Sequence, residues 1–253
     1  MSKKEERIGK SFTNKWGENF TITENYGNAN NIEIKFENGY KMKVTWQQIK
    51  NKQCRTPYSR TVCNIGYYGE GKYNYKEYTD IYYHWENMLK RCYSSDYQNK
   101  KPTYIGSIVC EEWHNFQNFA KWYEENYYEV KDEEMALDKD ILIKGNKIYS
   151  PQTCIFVPKR INGLFTNKKL YRGDCPAGIT KMNDGNRKNP YQASCCDGHG
   201  NRTKVYFSSV HKAFLWYKLN KELVIQCVAD EYKDLIPIKL YEAMYRYKID
   251  ITD

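Results

Sequence analysis

Residues 137–162 constrain this chain more than any other stretch. The segment runs from Leu137 through Asp138 and Asp140 to a Gly145-Asn146 turn, a Tyr149-Ser150-Pro151 corner, an apolar Cys154–Val157 run, and Lys159, Arg160 and Asn162. Glycine-asparagine and serine-proline pairs punctuate strands, so the pattern predicts strand, turn, second strand and then the start of a helix. Two carboxylates at a strand end, opposite a polar residue on a following helix, form an oxygen set suited to one hard divalent cation. The surrounding cations suit a phosphate. Eight basic side chains stand against two acidic ones between 137 and 173, whereas 76–136 holds seven against twelve. The formal charge of +9 is therefore concentrated around this segment and at the N-terminus, as expected for a polyanion-binding protein.

The remainder divides into two patterns. Residues 1–75 read as a small β module, a twisted sheet or SH3-like barrel. Thr21–Thr23 and Asn31–Phe36 alternate, Asn38-Gly39 is a strong hairpin signal, and Tyr40–Trp46 is the return strand. The glycine-rich stretch Gly66–Tyr73 carries no phosphate-loop spacing and is expected to be a linker. Two amphipathic helices follow. Tyr78, Ile81, Tyr82, Trp85, Met88, Leu89 and Cys92 recur at helical spacing, and so do Phe116, Phe119, Ala120 and Tyr123.

From Ala177 the chain alternates again. Three strands (177–182, 191–196 and 204–207) are joined by turn-rich loops. Ser208-Ser209 then caps a helix whose Ala213, Phe214, Trp216, Tyr217 and Leu219–Leu223 are expected to face the sheet. A terminal helix over Lys233–Asp253 is expected to pack through Leu240, Met244 and Tyr247.

The 137–162 layout resembles the ββα-metal finger of HNH endonucleases in the diverged form found in phage homing-endonuclease-like proteins. The upstream Trp85–Cys92 and Val109–Trp122 segments strengthen the resemblance. It implies Asp138 and Asn162 as ligands for one Mg²⁺ or Mn²⁺, and Asp138, Lys139, Asp140 and Asn162 as the catalytic candidates. It also implies Lys159, Arg160, Lys168, Lys169 and Arg172 as phosphate contacts. There are two departures. Lys139 stands where active members carry the general-base histidine, and Thr153 stands near the position of the central asparagine. A lysine at its ordinary pKa of about 10.4 is protonated and cannot activate water. The finger is thus either a nuclease in which Asp140, Lys139 or solvent replaces the base, or a scaffold whose nuclease chemistry is lost.

The C-terminal pattern resembles the DNA-binding domain of plant ethylene-response factors, through Pro176, Gly178-Ile179, Tyr191, Ala193, Gly200, Phe207-Ser208, Ala213 and Tyr217. That family inserts a sheet face into the major groove, which implies Lys181, Asn183, Arg187, Lys188, Gln192, Ser194, Arg202 and Lys204 as DNA contacts.

The expected organisation is α+β in three parts: a β module over 1–75, helices with the finger over 76–173, and a three-stranded antiparallel sheet plus helix over 174–253. The expected partner is duplex DNA. The alternative is a phage interaction protein, no longer catalytic, that binds a host or viral protein complex. RNA binding through stacked tyrosines is a third reading without a supporting motif. Nine scattered cysteines lack paired spacing, and Cys195-Cys196 with His199 is a poor zinc pattern. With no secretory signal and no long apolar run, the expected compartment is the cytoplasm of an infected bacterial cell, away from membranes.

Overall fold

A computed structural model describes residues 5–27, 30–166, 174–182 and 187–253. The fold is α+β, as expected. The chain forms two compact units, 1–125 and 126–253, so the expected boundaries at 75/76 and 173/174 each fall inside a unit.

The first unit opens with an antiparallel sheet of β1 (Ser11–Thr13), β2 (Asn19–Asn25), β3 (Ile32–Phe36) and β4 (Lys41–Val44), in the order β1-β2-β3-β4. This is an open meander rather than a closed barrel, since β1 and β4 are opposite edges. Alternation buries Phe20, Ile22, Ile32, Ile34 and Phe36 on one face, where Val44, Ile49 and Cys54 complete the core. The expected return strand stops at Val44 because Thr45 begins a helix, α1 (Trp46–Lys50). Its hydroxyl accepts from the Gln48 amide at 3.1 Å, while the Gln48 carboxamide accepts from the Thr45 amide at 2.8 Å.

The glycine-rich stretch is packed structure rather than a linker. The Tyr67 amide donates to the His114 carbonyl at 2.9 Å, and the Phe116 amide donates to the Tyr67 carbonyl at 3.0 Å. A Cβ on Gly66 would lie 2.4 Å from a Leu89 methyl carbon and 2.8 Å from the Trp85 ring, so only glycine allows this approach. The helices α2 (Thr79–Tyr93), α3 (Ser95–Lys100) and α4 (Phe116–Asn126), with the short strand β5 (Ile108–Val109), complete the unit. Trp85, Met88, Leu89, Trp113, Phe116 and Phe119 are buried, and the Trp85 indole donates to the Trp113 carbonyl at 2.7 Å.

In the second unit β6 (Met135–Asp138) pairs antiparallel with β8 (Ile155–Pro158) in the register Leu137↔Phe156 and Asp138↔Ile155. A loop carrying β7 (Ile148–Tyr149) joins them, and α5 (Lys159–Phe165) follows directly. A second sheet, ordered β11-β10-β9, consists of β9 (Ile179–Lys181), β10 (Tyr191–Cys196) and β11 (Arg202–Phe207). The helix α6 (Val210–Glu231), capped by the Ser209 hydroxyl, serves both sub-structures. Its first turns place Ala213 and Phe214 against Ile179 and Ala193. Further along, Ile225, Val228 and Ala229 pack with Val157, Ile161 and Leu164 of the strand-helix segment. Gly178, at φ +74°, has the Tyr217 ring 2.2 Å from where a Cβ would sit, so a side chain there would collide with α6.

Two expectations fail here. Leu219 and Leu223 do not face the sheet: they are 67% and 58% exposed and share an outer stripe with Leu215. The terminal helix is shorter than expected. As α7 (Ile238–Arg246) it starts after Pro237, with Leu240 and Met244 buried as anticipated.

Candidate metal centre and nucleic-acid interface

The end of β6 carries three of the four candidate catalytic residues, Asp138, Lys139 and Asp140. Asp138 Oδ1 accepts from the Asp140 amide at 2.8 Å and the Ile141 amide at 2.7 Å, turning the chain out of the strand. Burial, and then the charge of Asp140, push its carboxyl up to about 6 against the pull of those two amides. Lys139 is buried, its Nζ 3.0 Å from Asp140 Oδ2 and 5.7 Å from the centre of the Tyr149 ring. The residue standing in the base position is therefore held by the neighbouring carboxylate.

The loop is closed by carboxamide and hydroxyl groups. Asn146 Nδ2 donates at 2.7 Å to the carbonyls of both Lys139 and Ile148, and Thr153 Oγ1 donates to the Ile148 carbonyl at 2.7 Å. Asn146, read from sequence only as a turn residue, is the loop-bridging carboxamide. Asn162 is half-buried on α5, the helix that follows β8 directly.

The two expected metal ligands keep donor atoms that the described residues do not use. Asp138 keeps Oδ2 without a hydrogen bond among the described residues, and the Asn162 carboxamide likewise has none. An incompletely compensated, half-buried carboxylate favours a nearby cation. The described residues contain no group of three or more His, Cys, Asp or Glu side chains able to hold a metal ion.

The expected phosphate-binding cations of α5 have protein partners. Lys159 pairs with Glu134. Arg160 donates to the Gly198 carbonyl at 2.9 Å and to Glu231 Oε2 at 2.6 Å. His199 Nε2 lies 3.0 Å from Glu231 Oε1. This cluster ties α5 to the β10–β11 turn and to the end of α6. Nothing local in the sequence signals it, because its members are some 30 to 70 residues apart. Lys168, Lys169, Arg172 and Asn183 lie outside the described residues.

The outer face of the second sheet is chemically distinct. Pleat and register place Thr180, Gln192, Ser194, Cys196, Arg202, Lys204 and Tyr206 on it, with no acidic side chain among these described residues. Asp197, next in the chain, is used by the turn: it accepts from the amides of His199 and Asn201. Arg202 donates to Ser194 Oγ at 3.4 Å, and Lys204 opposite Ser194 has no partner among the described residues. Tyr206, absent from the sequence-based contacts, is 42% exposed. It accepts from Gln192 Nε2 at 2.8 Å and lies beneath the Arg187 guanidinium at 5.7 Å. Its alternation with Lys204 was the available signal. Lys181 differs from expectation: it shares its pleat side with Ile179 and Tyr191, so it projects at the sheet edge. Lys188 is exposed in the loop before β10.

No described helix is long and apolar enough to cross a membrane. Compared with protein-family models, with curated proteins and with solved structures, the chain finds no match in any of the three.

Proposed function

We propose that this chain binds duplex DNA through the outer face of the β9–β11 sheet, and that the 135–165 segment is a one-metal finger with reduced nuclease capacity. The observation that carries the reading is the acid-free face on which Arg202, Lys204, Gln192, Ser194 and Tyr206 stand together, with Arg187 over the tyrosine. A two-stranded ribbon fits the major groove. Arginine and lysine there meet guanine edges or phosphates, and a glutamine carboxamide meets adenine.

In the finger, Asp138 and Asn162 would hold Mg²⁺ or Mn²⁺. When bound, the ion stabilises the leaving oxygen and the charge developing on the phosphate. The protein's own contribution is the orientation of Asp138 by two amides and the neutralisation of Asp140 by Lys139. With Lys139 so engaged, the proton of an attacking water passes to Asp140 or to solvent, which makes nicking slow.

A second reading, a finger retired from catalysis in a protein that binds a host or viral protein complex, is favoured by two features. Lys159 and Arg160 are internally paired, and Leu215, Leu219 and Leu223 form an exposed stripe. Incubation with supercoiled plasmid and Mn²⁺, alongside a gel shift in EDTA, separates the readings. A shift with slow nicking, lost in Asp138→Ala/Asp140→Ala, supports the first. A shift without nicking leaves DNA binding alone, and neither shift nor nicking overturns the proposal in favour of the second.

A further inference from the structure

The β module and the tyrosine-rich stretch behind it have no part in the reading above, yet together they line a cavity within the first unit. It measures about 440 Å³ and is walled by Tyr40, Tyr68, Tyr75 and Tyr82, with Arg55 and Thr61 also lining it. That volume falls within the range of about 300–1,000 Å³ usual for small-molecule sites. Tyr75 lies edge-on to Tyr68 at 6.0 Å between ring centres and tilts against Tyr82 at 5.9 Å, so the rings form a cup rather than a closed stack.

The polar groups in this cup are distinguished by what they lack. Tyrosines nearby use their hydroxyls on the protein: Tyr58 donates to Glu70 at 2.6 Å and Tyr73 to Glu124 at 2.7 Å, while Tyr68 donates to the Tyr73 carbonyl at 2.6 Å. The hydroxyls of Tyr40, Tyr75, Tyr82 and Thr61 have no hydrogen-bond partner among the described residues. Partial burial pushes the Tyr82 phenol up. Arg55 is exposed, with its guanidinium 5.9 Å from the centre of the Trp16 ring, and no described carboxylate pairs with it. Unlike the α5 cations, it is available to an anion.

We propose that this cavity binds a nucleobase with its attached phosphate, the base held among the tyrosine rings and the phosphate by Arg55. Aromatic faces stack on any base, the free hydroxyls meet ring nitrogens and exocyclic groups, and a guanidinium matches phosphate geometry. The ligand could be a free nucleotide or an unpaired base of a strand. Either way the site is independent of the β9–β11 face.

The test is isothermal titration calorimetry of the full chain with dAMP, adenosine, inorganic phosphate and hexadeoxyadenylate, compared with Arg55→Ala, Tyr75→Ala and Tyr82→Phe. Tyr75 is 46% exposed and Arg55 is on the surface, and Tyr82→Phe removes one oxygen, so all three should fold, as checked by circular dichroism. Expected are saturable one-to-one dAMP binding, at least about ten-fold weaker binding in Arg55→Ala and Tyr75→Ala, and a similar loss for adenosine against wild type. Hexadeoxyadenylate binding at least about ten-fold tighter than dAMP, and still lost in Arg55→Ala, identifies an unpaired strand as the source; equal affinity identifies the free nucleotide. Three results would overturn the proposal: no saturation at millimolar dAMP, affinity unchanged in Arg55→Ala and Tyr75→Ala, or inorganic phosphate competing as well as dAMP.

Discussion

Asp138 is held in an environment that opposes its charge. Two amides favour the carboxylate, but burial and Asp140 outweigh them, and its carboxyl lies at about 6 against an ordinary value of 3.8. Because the folded-state value is raised, the folded chain binds more protons than the unfolded chain between these limits. Wild-type stability therefore falls as pH rises from 3.8 through about 6, and the loss is complete above that. The gap corresponds to about 3 kcal/mol at pH 8. Asparagine keeps an oxygen for the Asp140 and Ile141 amides, and the value of about 6 already includes their pull on the carboxylate, so nothing further is subtracted for them. Asp138→Asn should thus stabilise the second unit by about 2–3 kcal/mol at pH 8 in EDTA, and the gain should vanish as pH falls toward 4. Urea denaturation followed by circular dichroism at the two pH values measures this. Adding Mg²⁺ at pH 8 should raise the wild-type midpoint and leave the variant nearly unmoved, since a bound cation removes the penalty. A variant less stable than wild type by the same amount at both pH values would refute the reasoning.

Other substitutions test the fold that positions these groups. Gly66→Ala drives a methyl into Leu89 and Trp85 and should destabilise the first unit by about 1–3 kcal/mol in thermal denaturation. Thr45→Ala removes the hydroxyl half of a reciprocal cap and should cost about 1 kcal/mol by the same measurement. Leu219→Glu, on the exposed side of α6, should change stability by no more than about 0.5 kcal/mol.

What the sequence made legible was local. Tyr191–Cys196 forms the strand its alternation predicts, and Asn38-Gly39 turns the hairpin it signals, with Gly39 at φ +88°. The strand-loop-strand-helix order of 135–165 followed from short-range punctuation of the same kind. Misreadings arose where the deciding partner is distant. Gly66 looked like linker material because its reason for being glycine is the Trp85 and Leu89 surface on another element. Arg160 looked free because Glu231 and Gly198 are far along the chain. Leu219 and Leu223 looked buried because α6 carries apolar residues on several sides, and only the packing of Ile225 and Val228 shows which side is core. Thr45 and Gln48, by contrast, spell a capping box that a sequence reading can find, and their helix was overlooked in favour of a longer strand.

The most direct test of the DNA-binding claim is the salt dependence of affinity for a fluorescent duplex, measured by anisotropy in EDTA for wild type and for Arg202→Ala/Lys204→Ala. The account predicts steep weakening with salt in the wild type. In the double variant it predicts lower affinity and a log–log slope smaller in magnitude by about 2, since each lost phosphate contact removes about 0.9. A duplex affinity that barely responds to salt, or a slope identical in the two proteins, would contradict it.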